Sequence, residues 1–165
     1  MTIRPSTCAD IDAMLAVFAY AREQMAADGN TSQWGDGYPS REQLEEDIQR
    51  NVSYVIEHND QVVATFVFIL GDDPTYDIIE NGQWLNHLPY GTIHRIASSG
   101  KTKGVFASVL DWCTARCNNI RIDTHQDNHR MIHLIEKHDF TRCGIIYTRD
   151  HSPRVAYQRI VNTLA

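Results

Sequence analysis

The sequence predicts an α/β fold, a single mixed, mostly antiparallel sheet flanked by helices, with elements in the order β-α-α-β-β-β-α-β-α-β-β. Three observations carry this. Short runs rich in Val, Ile, Tyr and Thr recur along the chain, bounded by turn residues, as strands are. Between them lie segments whose apolar residues return every third or fourth position, the spacing of one helix face. No linker, repeat or low-complexity tract divides the 165 residues. That length suits one domain, residues 1–165, and is enough to bury a substantial core.

Each element has a local reason. Residues 2–4 form a short strand leading into Pro5. Thr7, with Asp10 three residues on, caps a helix in which Ile11, Met14, Leu15, Phe18 and Met25 share a face, and Asp28-Gly29-Asn30 ends it. After the loop NTSQWGDGYP, Ser40 and Gln43 form a capping box for a second helix carrying Leu44 and Ile48. SYVIEH and QVVATFVFIL are strands joined across Asn59-Asp60 as a hairpin. The long segment GDDPTYDIIENGQWLNHLPYG then interrupts the sheet, either as a substrate-facing loop or as surface cover. The strand GTIHRIAS, a helix over 101–118, the strand NIRIDTH and a helix over 128–138 follow. TRCGIIYTR and RVAYQRIV close the chain as strands.

Composition excludes several classes. Hydrophobic residues at 42% and charged residues at 22% are ordinary for a soluble globular protein. A formal charge of −6 argues against nucleic acid or anionic membrane as partners, since both need basic surfaces. No apolar run approaches the roughly 20 residues that span a bilayer. The N-terminus MTIRPSTCADID lacks the basic-then-apolar order of a signal peptide, so a cytoplasmic location is expected. Cys8, Cys113, Cys117 and Cys143 are too few for a disulfide scaffold. His129 and His133 share a helix face, but the HExxH glutamate is missing, so no metal site is expected.

The stretch RIASSGKTKGVFASVLDWC, Arg95 to Cys113, reads as strand, loop and helix start. Such a junction aims unsatisfied N–H groups and a partial positive charge at an anion, and Lys101 and Lys103 add local charge. Gly100-Lys101-Thr102 suggests a nucleotide P-loop. That motif needs a glycine five residues earlier, where Arg95 stands inside a strand, so the nucleotide reading is rejected.

The whole arrangement resembles the GNAT superfamily of N-acetyltransferases over nearly the entire chain. The family's strand followed by Arg/Gln-x-x-Gly-x-Gly/Ala and a helix is matched by IHRIAS and then Lys101-Thr102-Lys103-Gly104-Val105-Phe106. Its asparagine followed by a helix ending Leu-Tyr-Glu-Lys-x-Gly-Phe is similar to Asn128 through Leu134-Ile135-Glu136-Lys137-His138-Asp139-Phe140. Three positions depart. Lys101 keeps a charge but lacks the planar fork. Phe106 replaces a small residue. Ile135 stands where many relatives carry a tyrosine thought to protonate the departing thiolate. Phe106, Leu110, Cys113 and Cys117 form a helical core stripe, which predicts a buried Phe106 with its backbone N–H still available.

The resemblance implies acetyl-CoA as acyl-donor co-substrate, lying where the parallel strands 92–98 and 120–125 splay apart. Ile96, Ala97 and Ser98 would receive its pantetheine arm as an added strand, and a backbone N–H there would polarise the thioester. Lys101, Thr102, Lys103, Gly104, Val105 and Phe106 would hold the pyrophosphate, with Asn128 nearby. It implies an N-acetyltransferase acting on a primary amine of a small molecule or peptide by direct attack in a ternary complex. The alternative is a catalytically weak acyl-CoA-binding sensor or scaffold. His94 is the candidate base, sharing a strand face with Thr92 and Ile96; a packed, hydrogen-bonded histidine is the rival reading. Asp123 and His125 either orient and shuttle protons or cap the following helix. Trp34, Tyr38, Trp84 and Tyr90 either line an acceptor pocket or form lids over the core. The acidic balance favours a cationic acceptor, and C-terminal edge strands allow a homodimer.

Overall fold

A computed structural model describes residues 1–162. Seven strands, β1 (Thr2–Pro5), β2 (Ser53–His58), β3 (Gln61–Leu70), β4 (Gly91–Ser98), β5 (Asn119–Thr124), β6 (Thr141–Tyr147) and β7 (Pro153–Ile160), form one sheet. Its spatial order is β1-β2-β3-β4-β5-β7-β6, with every neighbouring pair antiparallel except β4 and β5. The helices are α1 (Ile11–Ala27), α2 (Arg41–Gln49), α3 (Val105–Thr114) and α4 (His129–Lys137), with short 3-10 turns at Cys8–Asp10 and Pro74–Tyr76. The chain order of strands and helices is the one expected from the sequence.

Local chemistry explains the boundaries. Asn59 and Asp60 both take left-handed φ, 51° and 60°, so the β2–β3 hairpin has the two-residue turn whose twist matches its strands. The Asp10 carboxylate accepts the Thr7 backbone N–H at 2.7 Å, closing the entry to α1. Ser40 Oγ accepts the Gln43 N–H at 3.2 Å and caps α2. Helix α3 starts at Val105 rather than at 101, because Gly104 at φ 76° is left-handed and keeps the preceding loop out of the helix.

The sheet has a core on each face. Helices α3 and α4 cover one, where Phe66, Ile93, Phe106, Leu110 and Ile135 meet. Helices α1 and α2 cover the other, over Met14, Phe18, Leu44, Val55 and Ala97. A third cluster, including Tyr76, Trp84 and Tyr90, lies beneath the 71–90 segment. That segment also crosses the β6 edge, where Glu80 and Ile145 exchange backbone hydrogen bonds of 2.8 Å. It passes so close that a Cβ on Gly82 would stand 1.9 Å from the Cys143 carbonyl oxygen. The edge offered to a second copy is blunted there.

Strand β4 carries the feature that shapes the cleft. Thr65 is opposite Ala97 but Val67 is opposite His94, so Arg95 and Ile96 together face Phe66. Arg95 sits at φ 48°. This bulge breaks the alternation on which the sequence reading relied. Ile96 packs with Ile93 toward the α3 core instead of sharing a face with His94, and Ala97 points to α1. Arg95 forks onto Asp47 of α2, with Nε donating to Oδ2 at 2.9 Å and Nη2 to Oδ1 at 2.8 Å. Strands β4 and β5 pair only at Gly91–Ile120 and Thr92–Arg121, then part.

Asp47 is fully buried, so removing its partner strands a charge in the core. Arg95→Ala is expected to lower unfolding free energy by about 3–5 kcal/mol in urea titrations. Replacing both partners, Arg95→Met with Asp47→Leu, should recover most of that loss. A single-variant loss below about 1 kcal/mol would show that the pair does not hold β4.

Candidate functional site

Where β4 and β5 part, a cleft of about 680 Å³ opens. Its walls include Ile93, His94 and Ile96 of β4, Asp123 and Thr124 of β5, and Met131 of α4. Among the described residues β4 has no strand partner on its β5 side beyond Thr92, so an extended ligand can lie there.

His94 faces this cleft between two carboxylates. Its Nε2 is 2.7 Å from Asp73 Oδ2, and its Nδ1 is 3.9 Å from Asp123 Oδ1. Asp73 precedes the short helix Pro74–Tyr76 and is tightly held. Its Oδ1 accepts the Thr75 N–H at 2.9 Å and the Thr75 hydroxyl at 2.7 Å, and its own N–H donates to the Tyr90 hydroxyl oxygen at 2.8 Å. Burial alone would raise the Asp73 carboxyl, but the hydrogen bonds from His94 and Thr75 outweigh it and hold the group down at about 2. Asp123 Oδ1 accepts the Tyr76 hydroxyl at 2.6 Å. Burial, and then the Asp123 charge, push the Tyr76 phenol well above its ordinary value, so it stays a donor.

His125 stands apart from this cluster and outside the cleft wall. Its Nδ1 accepts the Asp127 N–H at 3.1 Å, so the neutral ring carries its proton on Nε2, 3.3 Å from Ser32 Oγ. Burial first, and Arg154 second, lower its pKa and favour that neutral form. His125 thus braces the turn before α4, whereas the cap of α4 itself, expected of Asp123 or His125, is Asn128. Asn128 is on the wall, but its carboxamide is committed: Oδ1 caps α4 through the Met131 N–H at 3.2 Å, and Nδ2 donates to Gln33 Oε1 at 3.0 Å.

The start of α3 keeps its donors. The first intrahelical bond runs from Ser108 N–H to Gly104 O at 3.0 Å, leaving the N–H groups of Val105, Phe106 and Ala107 without an acceptor inside the helix. Lys101 and Lys103 are exposed beside them, while the N–H groups of Gly100 and Lys101 turn back to Ser98 Oγ and Ser99 Oγ at 3.2 and 3.4 Å. Phe106 is buried and meets His138 edge-on at a centroid distance of 5.1 Å, so its ring leaves the loop open. Ile135 is fully buried in the α3-side core. Asp139, where the family pattern has glycine, takes the left-handed φ of 64° that glycine favours.

The four aromatic candidates divide. Trp34 and Tyr38 line the cleft, Trp34 edge-on against Phe18 at 5.5 Å and Tyr38 accepting from Arg95 Nη1 at 3.2 Å. Trp84 and Tyr90 do not reach it. They are buried under the 71–90 segment with the Arg121 guanidinium 4.0 and 3.9 Å from their rings, and form a floor rather than an acceptor pocket. Sequence reasoning missed Asp73 and Tyr76. Asp73-Pro74-Thr75 carries the signature of a helix start, with a capping Asp before Pro, which locates the carboxylate but not its meeting with His94.

A mixed sheet that parts between two parallel strands, with an uncapped helix start at the break, is the architecture of the acyl-CoA N-acyltransferase fold. No family model matches the chain, and no curated protein matches it. Solved structures do. A GNAT-family acetyltransferase of Streptococcus agalactiae 2603 is 29% identical, with 98% of this chain and 96% of that one covered at a TM-score of 0.89. A Staphylococcus aureus Mu50 protein assigned as an acetyltransferase is 26% identical, with 98% and 100% covered at a TM-score of 0.71. A ribosomal-protein-alanine N-acetyltransferase of Brucella melitensis, 18% identical with 98% and 100% covered at a TM-score of 0.62, shares the fold. The chain belongs to the GNAT superfamily and is an acyltransferase.

The packing of Phe106 gives a test. Phe106→Gly should cost about 3–5 kcal/mol through the cavity and added backbone freedom, read by thermal or urea unfolding, without tightening coenzyme A binding. A variant of unchanged stability that binds coenzyme A more tightly would show that the ring obstructs the loop.

Proposed function

We propose that the protein transfers an acetyl group from acetyl-CoA to a primary amine of a small molecule or peptide by direct attack in a ternary complex. The observation that carries this is the parting of β4 from β5 beside the free N–H groups of α3, with His94 facing the cleft so formed. The residues fit an acyl-CoA donor. Val105, Phe106 and Ala107 would offer N–H groups to its pyrophosphate, with Lys101 and Lys103 adding charge. Thr102 and Gly104 shape that loop, and the β4 backbone around Ile96, Ala97 and Ser98 would take the pantetheine arm.

Bound there, acetyl-CoA supplies a thioester carbonyl. A β4 backbone N–H polarises it. His94 takes one proton from the acceptor ammonium, freeing the nitrogen lone pair. As the C–N bond forms and the C–S bond breaks, coenzyme A leaves as thiolate and picks up the proton lost by the new amide nitrogen. Asp123 helps hold the ammonium, and Trp34 and Tyr38 flank its entry. No helix among the described residues is long and apolar enough to cross a membrane, and a cytoplasmic location belongs to this reading.

Acetyl-CoA should raise the melting temperature while ATP and GTP should not; the reverse result overturns the donor assignment. Free-thiol release across an amine panel tests turnover, and binding without any release would favour the sensor reading. His94→Ala should reduce kcat on the order of a hundredfold or more near neutral pH, with acetyl-CoA affinity unchanged. The deficit should narrow as pH rises, because the acceptor then deprotonates unaided. Wild-type turnover across the range would remove His94 from the reaction.

A further inference from the structure

We propose that Asp73 is a positioning residue that fixes the tautomer of His94, so that Nδ1 is the proton acceptor presented toward Asp123. This rests on the reading that His94 takes the acceptor's proton, and it adds the group that decides which nitrogen does so.

The argument starts from the two carboxylates. A distance of 2.7 Å between His94 Nε2 and Asp73 Oδ2 is a hydrogen bond, and 3.9 Å between Nδ1 and Asp123 Oδ1 is not. An ionised carboxylate only accepts, so the short contact places the proton of the neutral ring on Nε2. The lone pair is then on Nδ1. Nδ1 and Asp123 Oδ1 are close enough for one ammonium nitrogen, seated to the side of the line that joins them, to bond to both, and Asp123 is held for this by the Tyr76 hydroxyl at 2.6 Å. One ammonium N–H bond breaks, one Nδ1–H bond forms, and the electron pair stays on the acceptor nitrogen. The imidazolium that results lies against Asp73, whose charge stabilises it. The slot suits a cationic primary amine.

Asp73 is built so that only one oxygen is free for this work. Oδ1 is occupied by the Thr75 N–H at 2.9 Å and the Thr75 hydroxyl at 2.7 Å, leaving Oδ2 for His94. The backbone N–H of Thr75 can only donate. In Asp73→Asn the amide oxygen must therefore stay on Thr75, and the amide NH2 faces Nε2. The ring would have to accept there and carry its proton on Nδ1, where it cannot take one from the acceptor.

Nitrogen-15 NMR of histidine-labelled protein reads this directly, with the His94 signals identified among the eight histidines by their loss in His94→Ala. The expected result is an Nε2–H tautomer in the wild type and an Nδ1–H tautomer in Asp73→Asn. With a working acceptor, kcat of Asp73→Asn should fall between about 10²- and 10⁴-fold, with acetyl-CoA affinity and melting temperature nearly unchanged. In the His94→Ala background the same substitution should have no further effect. A wild-type proton on Nδ1, full activity in Asp73→Asn, or an equal loss in both backgrounds overturns the proposal. A wild type that turns over no amine refutes the proposed function instead, and the NMR spectrum still decides the tautomer.

Discussion

The fork of Arg95 onto the buried Asp47 is the constraint on which the cleft depends. Left-handed backbone at a non-glycine residue costs on the order of 1–2 kcal/mol, so the bulge at Arg95 persists only if something holds it. Two hydrogen bonds of 2.8 and 2.9 Å to a carboxylate with no exposed surface supply that hold. The bulge inserts an extra residue between His94 and Ala97, which turns the second half of β4 relative to the first. It accompanies the departure of β4 from β5 after Thr92. Sheet continuity is given up there, and an edge able to hydrogen-bond an extended ligand appears in the middle of the protein.

Around that edge the protein divides its tasks between backbone and side chains. The first turn of α3 offers backbone N–H donors that only a proline would delete, which is why Phe106 is compatible with an open loop although the family pattern has a small residue there. Lys101 and Lys103 add exposed positive charge beside that turn, against a net of −6 for the whole chain. Specific side-chain chemistry is concentrated deeper, at His94, Asp73, Asp123 and Tyr76, where every short contact has a donor and an acceptor.

Much of this was legible in the sequence. The order of strands and helices follows from apolar period and turn chemistry, because those signals are local: Asn59-Asp60 turns the chain between two flanking strand runs, and Ser40 with Gln43 starts the helix that follows them. The α3 stripe likewise predicts a buried Phe106 from its own spacing. What was not legible depends on partners distant in sequence. The bulge needs Asp47 on another helix, and without it a strand reading sets Ile96 beside His94, where it is not. Asp73 reaches His94 only because Tyr90 and Thr75 pin the turn that carries it. Trp84 and Tyr90 sit in the floor because Arg121 needs aromatic faces around its buried cation. Composition cannot distinguish such a floor from a pocket wall.

The burial of Ile135 shows where a member of this fold can relax its chemistry. A free thiol has a pKa of about 8.5, so a coenzyme A thiolate is a fair leaving group near neutrality and gains little from a dedicated acid. An alkyl ammonium is different: its pKa lies near that of lysine, about 10.4, and its lone pair is almost wholly blocked at pH 7. The larger obstacle is therefore on the acceptor side. The structure is arranged accordingly. At the position of the missing tyrosine it keeps an isoleucine that completes the α3-side core, and in the cleft, where the proposed reaction puts the acceptor, it gathers an imidazole and two carboxylates, all fixed by neighbours. For the proposed reaction, giving Ile135 to the core loses least, because the proton that matters most there is the one on the incoming nitrogen.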